Sequence, residues 1–263
     1  MLAKHPHPEH DSPLISEAEG YRYLHFASAW MQGAMDIRTP SNLVFEYTRQ
    51  MAAWLLFITP SAKDRLAILG LGSASLLRFF MRYSRSQLQV VEWNPQVTAC
   101  CRQYFRMPDS PRINVHHGDA QAWVVDPVNH GTCKVLMVDL YNYQAEGPVC
   151  SSLAFYKGCY DTLENGGIAV INLFANHASF AKNLKNIQKA FGQRLLMLKE
   201  TPEGNRIVMA FKGPPRLLRW SQLQSQSRKV QVKYGLEACE FLMQLRPELK
   251  KYAQDAHNQV FEL

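Results

Sequence analysis

No long hydrophobic run occurs in this chain of 263 residues. The longest candidate, Met51 to Ile58, is far short of the roughly 20 apolar residues that cross a bilayer as a helix, so no membrane association is expected. The opening MLAKHPHPEHDSP has no apolar stretch of signal-peptide type, and no secretory leader is expected. Cys100, Cys101, Cys133, Cys150, Cys159 and Cys239 show no C-x-x-C spacing. That argues against a zinc ribbon or a small disulfide framework, and it fits reduced thiols in a cytoplasmic protein with no metal. The net charge is +7, yet no run of five like charges occurs and no aromatic-basic RNA-binding pattern is present. The excess reads as a generally basic surface, with no nucleic acid expected as partner. Internal repeats and low-complexity segments are missing as well.

What is present is a globular composition, with 47% hydrophobic and 19% charged residues, enough for a sizeable core. The chain is organised around LAILGLGSASLLRFF, residues 66–80. A short apolar run enters Gly70-Leu71-Gly72, small residues follow, and a periodic apolar segment begins at Leu76. A buried strand, a glycine turn and a helix start produce that pattern. Glycine admits backbone angles closed to other residues, and a helix start offers free N–H groups to polar parts of a ligand.

Residues 1–20 read as a flexible polar tail and 21–60 as a β-hairpin followed by a helix from about Asn42 to Phe57. Strands are expected near 65–69, 88–93, 112–117, 134–141 and 168–174, with helical segments between them. Two further strands, near 195–200 and 206–211, flank Glu203-Gly204-Asn205 and read as an antiparallel hairpin. The pattern predicts an α/β fold: a doubly wound, mostly parallel, seven-stranded Rossmann-like sheet over residues 61–213, with ligands at the carboxyl ends of its strands. Residues 214–263 read as a basic helical extension.

Three carboxylates fall at strand ends. Glu92 lies twenty residues beyond Gly72, the spacing at which an acid can hold ribose hydroxyls. Asp119 follows the third strand, where its carboxylate or the neighbouring Ala120 amide can meet an adenine edge, and helix capping is a compatible role. Asp139 closes the apolar VLMVD, where a carboxylate is costly to bury unpartnered and so should face the crevice.

Together these segments resemble the spermidine synthases, the polyamine aminopropyltransferases built on the class I S-adenosylmethionine methyltransferase fold. The resemblance runs from about Tyr21 to Phe211 through YLHFASAWMQGAM, FEYTRQM, LGLGSASLLR, VVEWNPQV, HHGDAQAWV, VLMVDLYN and FYKGCYDTLENGGIAVINL. It implies that Gln32 lies near the methionine-derived part of the co-substrate, with Gly70, Gly72 and Ser73 forming the nucleoside-binding turn. Glu92 would take the ribose and Asp119 the adenine, and Asp139 would be the catalytic aspartate of a D-[ST]-[ST]-D-P segment. Tyr47, Tyr141 and Asn142 would position the amine. The implied donor is decarboxylated S-adenosylmethionine, the acceptor a small-molecule amine such as putrescine, and the assembly a homodimer.

The departures concern charge. The family's G-G-G-D-G-G turn reads Gly70-Leu71-Gly72-Ser73-Ala74-Ser75, so a serine replaces its aspartate. The second aspartate of the catalytic segment is Asn142, and its proline is Tyr143. An S-adenosylmethionine-dependent methyltransferase of unknown acceptor and a non-catalytic nucleoside-binding relative stand as alternatives.

Overall fold

The computed structural model describes residues 12–26, 31–141, 149–255 and 259–263. Strands β1 (Leu14–Ala18), β2 (Tyr21–His25) and β3 (Met31–Asp36) form a three-stranded antiparallel sheet in the order β1-β2-β3. The expectation of a flexible tail through residue 20 is therefore corrected from Leu14 onward, and the expected hairpin has a third strand. Glu19 and Gly20 both have positive φ, 53° and 85°, which reverses the chain in two residues as a tight hairpin requires. The Glu17–Arg22 ion pair at 2.5 Å lies across that hairpin.

The helix expected over 42–57 is instead a short α1 (Glu46–Met51) followed by a 3-10 turn, Ala53–Leu56. Asp36 folds the approach by accepting the N–H groups of Arg38 and Thr39 at 2.8 and 3.0 Å, and Phe45 is extended. Ala53, Trp54, Leu55 and Leu56 are all buried, so the tighter turn packs apolar side chains around its whole circumference.

From Arg65 the chain builds β4 (Arg65–Leu69), α2 (Ser75–Tyr83), β5 (Gln87–Glu92), α3 (Pro95–Tyr104), β6 (Ile113–His117) and α4 (Ala120–Val125). It continues through β7 (Cys133–Val138), α5 (Leu153–Thr162), β8 (Leu163–Phe174), α6 (Phe180–Phe191), β9 (Leu195–Met197) and β10 (Asn205–Phe211). These form a seven-stranded sheet in the order β6-β5-β4-β7-β8-β10-β9, with β10 antiparallel to both neighbours and the rest parallel. Chain direction across the sheet reverses between β4 and β7, the place where doubly wound sheets open a ligand crevice.

Alternate strand residues enter two cores. Leu66, Ile68, Val135 and Met137 face α2 and the C-terminal helices, while Ala67, Leu69, Leu136 and Val138 face α4, α5 and α6. With both faces covered, the parallel strands read as continuous apolar runs.

The C-terminal part is not purely helical, which corrects the expectation for residues 214–263. It comprises β11 (Leu217–Arg219), α7 (Trp220–Tyr234), α8 (Ala238–Lys250), β12 (Ala253–Asp255) and β13 (Val260–Glu262). The short strands pair in the order β11-β13-β12, and Trp220, Leu245, Leu249 and Phe261 join the first core.

Candidate active site

The crevice begins where β4 ends. Gly70 has φ +90° and donates its N–H to the Val91 carbonyl at 2.9 Å. A Cβ at Gly70 would stand 2.1 Å from the Asp139 carbonyl oxygen, so only glycine lets the turn and the Asp139 segment meet. Gly72 and Ala74 also have positive φ, 50° and 60°, before α2 starts at Ser75. Gln32 and Gly33 of β3 approach from the other side, and a Cβ at Gly33 would fall 2.4 Å from the Ser73 hydroxyl oxygen.

Ser73 is buried, with its hydroxyl 3.3 Å from the Ala34 carbonyl and 3.0 Å from the Ser75 hydroxyl. It ties the turn to β3. Behind it Arg78, 3% exposed, donates to the Pro40 carbonyl at 2.7 Å, the Phe105 carbonyl at 2.9 Å and the Ser73 carbonyl. Burial lowers its pKa to about 10, still well above neutrality. Three segments are pinned by one cation.

Glu92 is buried at the end of β5, and its two oxygens accept the N–H groups of Leu71 and Asn94, each at 2.9 Å. These two bonds hold the Glu92 carboxylate at the strand end. The Gly118 N–H bonds the Glu92 carbonyl at 3.1 Å, which sets the start of α4 beside it. Asp119 is exposed there and caps α4 through the Ala122 N–H at 2.7 Å; Ala120 is the first residue of that helix.

Asp139 follows β7 and is the centre of a polar chain. The Asn172 amide donates to Oδ1 at 2.9 Å, and the Tyr47 hydroxyl makes a longer contact of 3.4 Å with Oδ2. Asn205 in turn donates to the Asn172 side-chain oxygen at 3.0 Å, and the Tyr141 hydroxyl donates to the Asn172 carbonyl at 3.2 Å. Burial raises the pKa of Asp139, opposed by the bonds from Asn172 and Tyr47. Burial, and then the charge of Asp139, pushes both tyrosine phenols upward, so each stays a proton donor.

One crevice thus brings together Gln32, Tyr47, Gly70, Gly72, Ser73 and Asp139. Glu92 supports the turn from behind, Asp119 and Ala120 lie toward β6, and Tyr141 braces Asn172. Asn142 lies outside the described residues. The sequence reading did not single out Asn172 and Asn205, although an isolated amide in the apolar IAVINLF is the signal that finds the first. Phe45, stacked on Tyr47 with ring centroids 5.9 Å apart, also lines the crevice. Among the described residues no group of three or more metal-ligating side chains stands together, and no helix is long and apolar enough to cross a membrane.

Comparison with known proteins follows the same outline. A polyamine aminopropyltransferase of Chromobacterium violaceum is 29% identical over 234 residues, covering 88% of each chain. A probable spermidine synthase of Corynebacterium glutamicum superposes with a TM-score of 0.69 at 18% identity, covering 83% of both chains. Human methyltransferase-like protein 13, solved with SAH, superposes with a TM-score of 0.63 at 21% identity over 73% of this chain and 93% of its own. The two structures share the fold. The spermine/spermidine synthase domain model matches residues 44–212, which takes in the glycine turn, Glu92, Asp139 and Asn172 together, and the chain therefore belongs to the spermine/spermidine synthase family.

Proposed function

We propose that this chain transfers an aminopropyl group from decarboxylated S-adenosylmethionine to an amine of a polyamine such as putrescine. The observation that carries the reading is the Asp139 carboxylate, held between Asn172 and Tyr47 on the same crevice edge as the glycine turn. The name of the Chromobacterium violaceum relative supports it.

In this reading Glu92 takes ribose hydroxyls, and Asp119 with the Ala120 amide faces the adenine. The turn brings the donor's sulfonium end beside Asp139, with Gln32 along its methionine-derived part. The acceptor amine enters as an ammonium and must lose a proton before it attacks. Its lone pair then forms a bond to the carbon next to the sulfonium. The carbon–sulfur bond breaks, and its electrons neutralise the sulfur as a thioether.

Asp139 takes the proton. A carboxylate of ordinary pKa is a weak base for an alkylammonium, and the burial that raises Asp139 narrows that gap. Tyr47 and Asn172 fix the two oxygens, so the lone pair that receives the proton has a set direction.

Asp139→Asn tests the assignment. General-base removal costs about 100- to 10,000-fold in turnover, while methylthioadenosine binding stays within about threefold because the turn and Glu92 are untouched. Unchanged turnover would refute the role given to Asp139.

A further inference from the structure

A second cavity, of about 340 Å³, lies at the far end of α2 from the glycine turn. Its size falls within the roughly 300–1,000 Å³ of small-ligand pockets. α2 has nine residues, so its ends stand about 12 Å apart. The cavity is therefore beside the amino ends of β4 and β5, away from the crevice. Arg82 and Tyr83 at the end of α2, Arg85 just beyond it, Ser61 before β4 and Lys233 in the last turn of α7 line it. No carboxylate lines it among the described residues. The Asp64 carboxylate instead folds the entering loop by accepting the Ser61 N–H at 2.6 Å.

Arg82, Arg85 and Lys233 are exposed, and none has an ion-pair partner among the described residues. Cations in the last turn of a helix ordinarily offset its negative carbonyl end. At α2 that part is taken by Arg112, which donates to the Met81, Ser84 and Ser86 carbonyls at 3.1, 3.0 and 3.2 Å. Arg82 and Arg85 are left over. The Tyr234 ring, 4.8 Å from the Lys233 Nζ, steadies that ammonium. Tyr83 packs its ring against Phe79 and Tyr234, with centroids 4.9 and 5.7 Å away, and its hydroxyl has no hydrogen-bond partner among the described residues.

We propose that this cavity binds a diphosphate group, free or carried by a nucleotide. A phosphate bears about 1.5 to 2 negative charges at pH 7, so one leaves the three cations unbalanced and two linked phosphates match them. Guanidinium forks take phosphate oxygens two at a time, and the Tyr83 hydroxyl supplies a further donor. The proposal stands apart from the transfer reading, since no residue of the crevice takes part.

Isothermal titration calorimetry of the full chain with inorganic phosphate, inorganic diphosphate and ADP tests it. Diphosphate should bind saturably at one site, at least tenfold more tightly than phosphate. Arg85→Gln and Lys233→Gln should each weaken diphosphate binding about tenfold, and Arg85→Lys less. These side chains are exposed and unpaired, so the fold is kept. The tighter of diphosphate and ADP, where Arg85→Gln weakens it, identifies the source of the group. Lys157→Gln removes the same charge from α5 on the opposite face of the sheet and should leave affinity within about twofold. No saturable binding of either probe, or a loss in Lys157→Gln equal to that in Arg85→Gln, would overturn the site.

Discussion

Adding a single methyl group at Gly70 should push the glycine turn away from Asp139. A Cβ there would lie 2.1 Å from the Asp139 carbonyl oxygen and 3.1 Å from its carbonyl carbon. Both sides are anchored, Gly70 to Val91 and the Asp139 N–H to the Leu69 carbonyl, each at 2.9 Å. The two segments must therefore part by about 1 Å, a displacement that costs on the order of 100-fold when it misplaces reacting groups. The positive φ adds about 1–2 kcal/mol of backbone strain. Gly131 separates the two effects, since its φ is +66° but nothing lies within 4 Å of its Cβ position. Gly131→Ala should lose about 1–2 kcal/mol in urea denaturation and keep its kcat/KM. Gly70→Ala should lose more stability and about 100-fold in kcat/KM, measured as methylthioadenosine release. A Gly70→Ala enzyme within about threefold of Gly131→Ala in kcat/KM would refute the coupling of turn and base.

Three other substitutions read out separate parts of the site. Burial holds the Asp139 pKa above its ordinary value, so its stabilising contribution is present below pH 3.8 and is lost as pH rises through the folded-state value. Asp139→Asn should accordingly raise the melting temperature at pH 7, with a gain that vanishes in acid; a lower Tm at pH 7 would contradict it. The Asn172 amide lowers the pKa of Asp139, so Asn172→Ala should move the acidic limb of the kcat/KM profile to higher pH, and an unmoved limb would count against that bond. Arg78→Met leaves the carbonyls of Pro40, Ser73 and Phe105 without their shared donor, and should cost about 3 kcal/mol in denaturant unfolding, with part recovered in Arg78→Lys.

The central sheet was legible because each strand is a short apolar run bounded by its own turn. The glycine turn, Glu92 and Asp139 were legible because they stand at strand ends, where a polar residue interrupts such a run. Asn172 is different: it sits inside an apolar strand, and its meaning comes only from Asp139 and Asn205 on the flanking strands. β1 pairs with its sequence neighbour β2, but four of its five residues are exposed, so no apolar alternation marks it as a strand. The helix expected over 42–57 differs for another reason. Periodicity marks apolar residues for burial, but the crowded packing around Trp54, 5.3 Å from Phe80 between ring centroids, selects the tighter turn. Ser73 shows the limit of reading one position by resemblance. Its hydroxyl is turned to the Ala34 carbonyl, a contact made from a separate sheet.

The most direct test of the proposed chemistry is product analysis by mass spectrometry on the wild-type protein given decarboxylated S-adenosylmethionine and putrescine, with intact S-adenosylmethionine and the same amine in parallel. The account predicts methylthioadenosine and spermidine in equal amounts from the first mixture. S-adenosylhomocysteine and a methylated amine from the second, with nothing from the first, would contradict it.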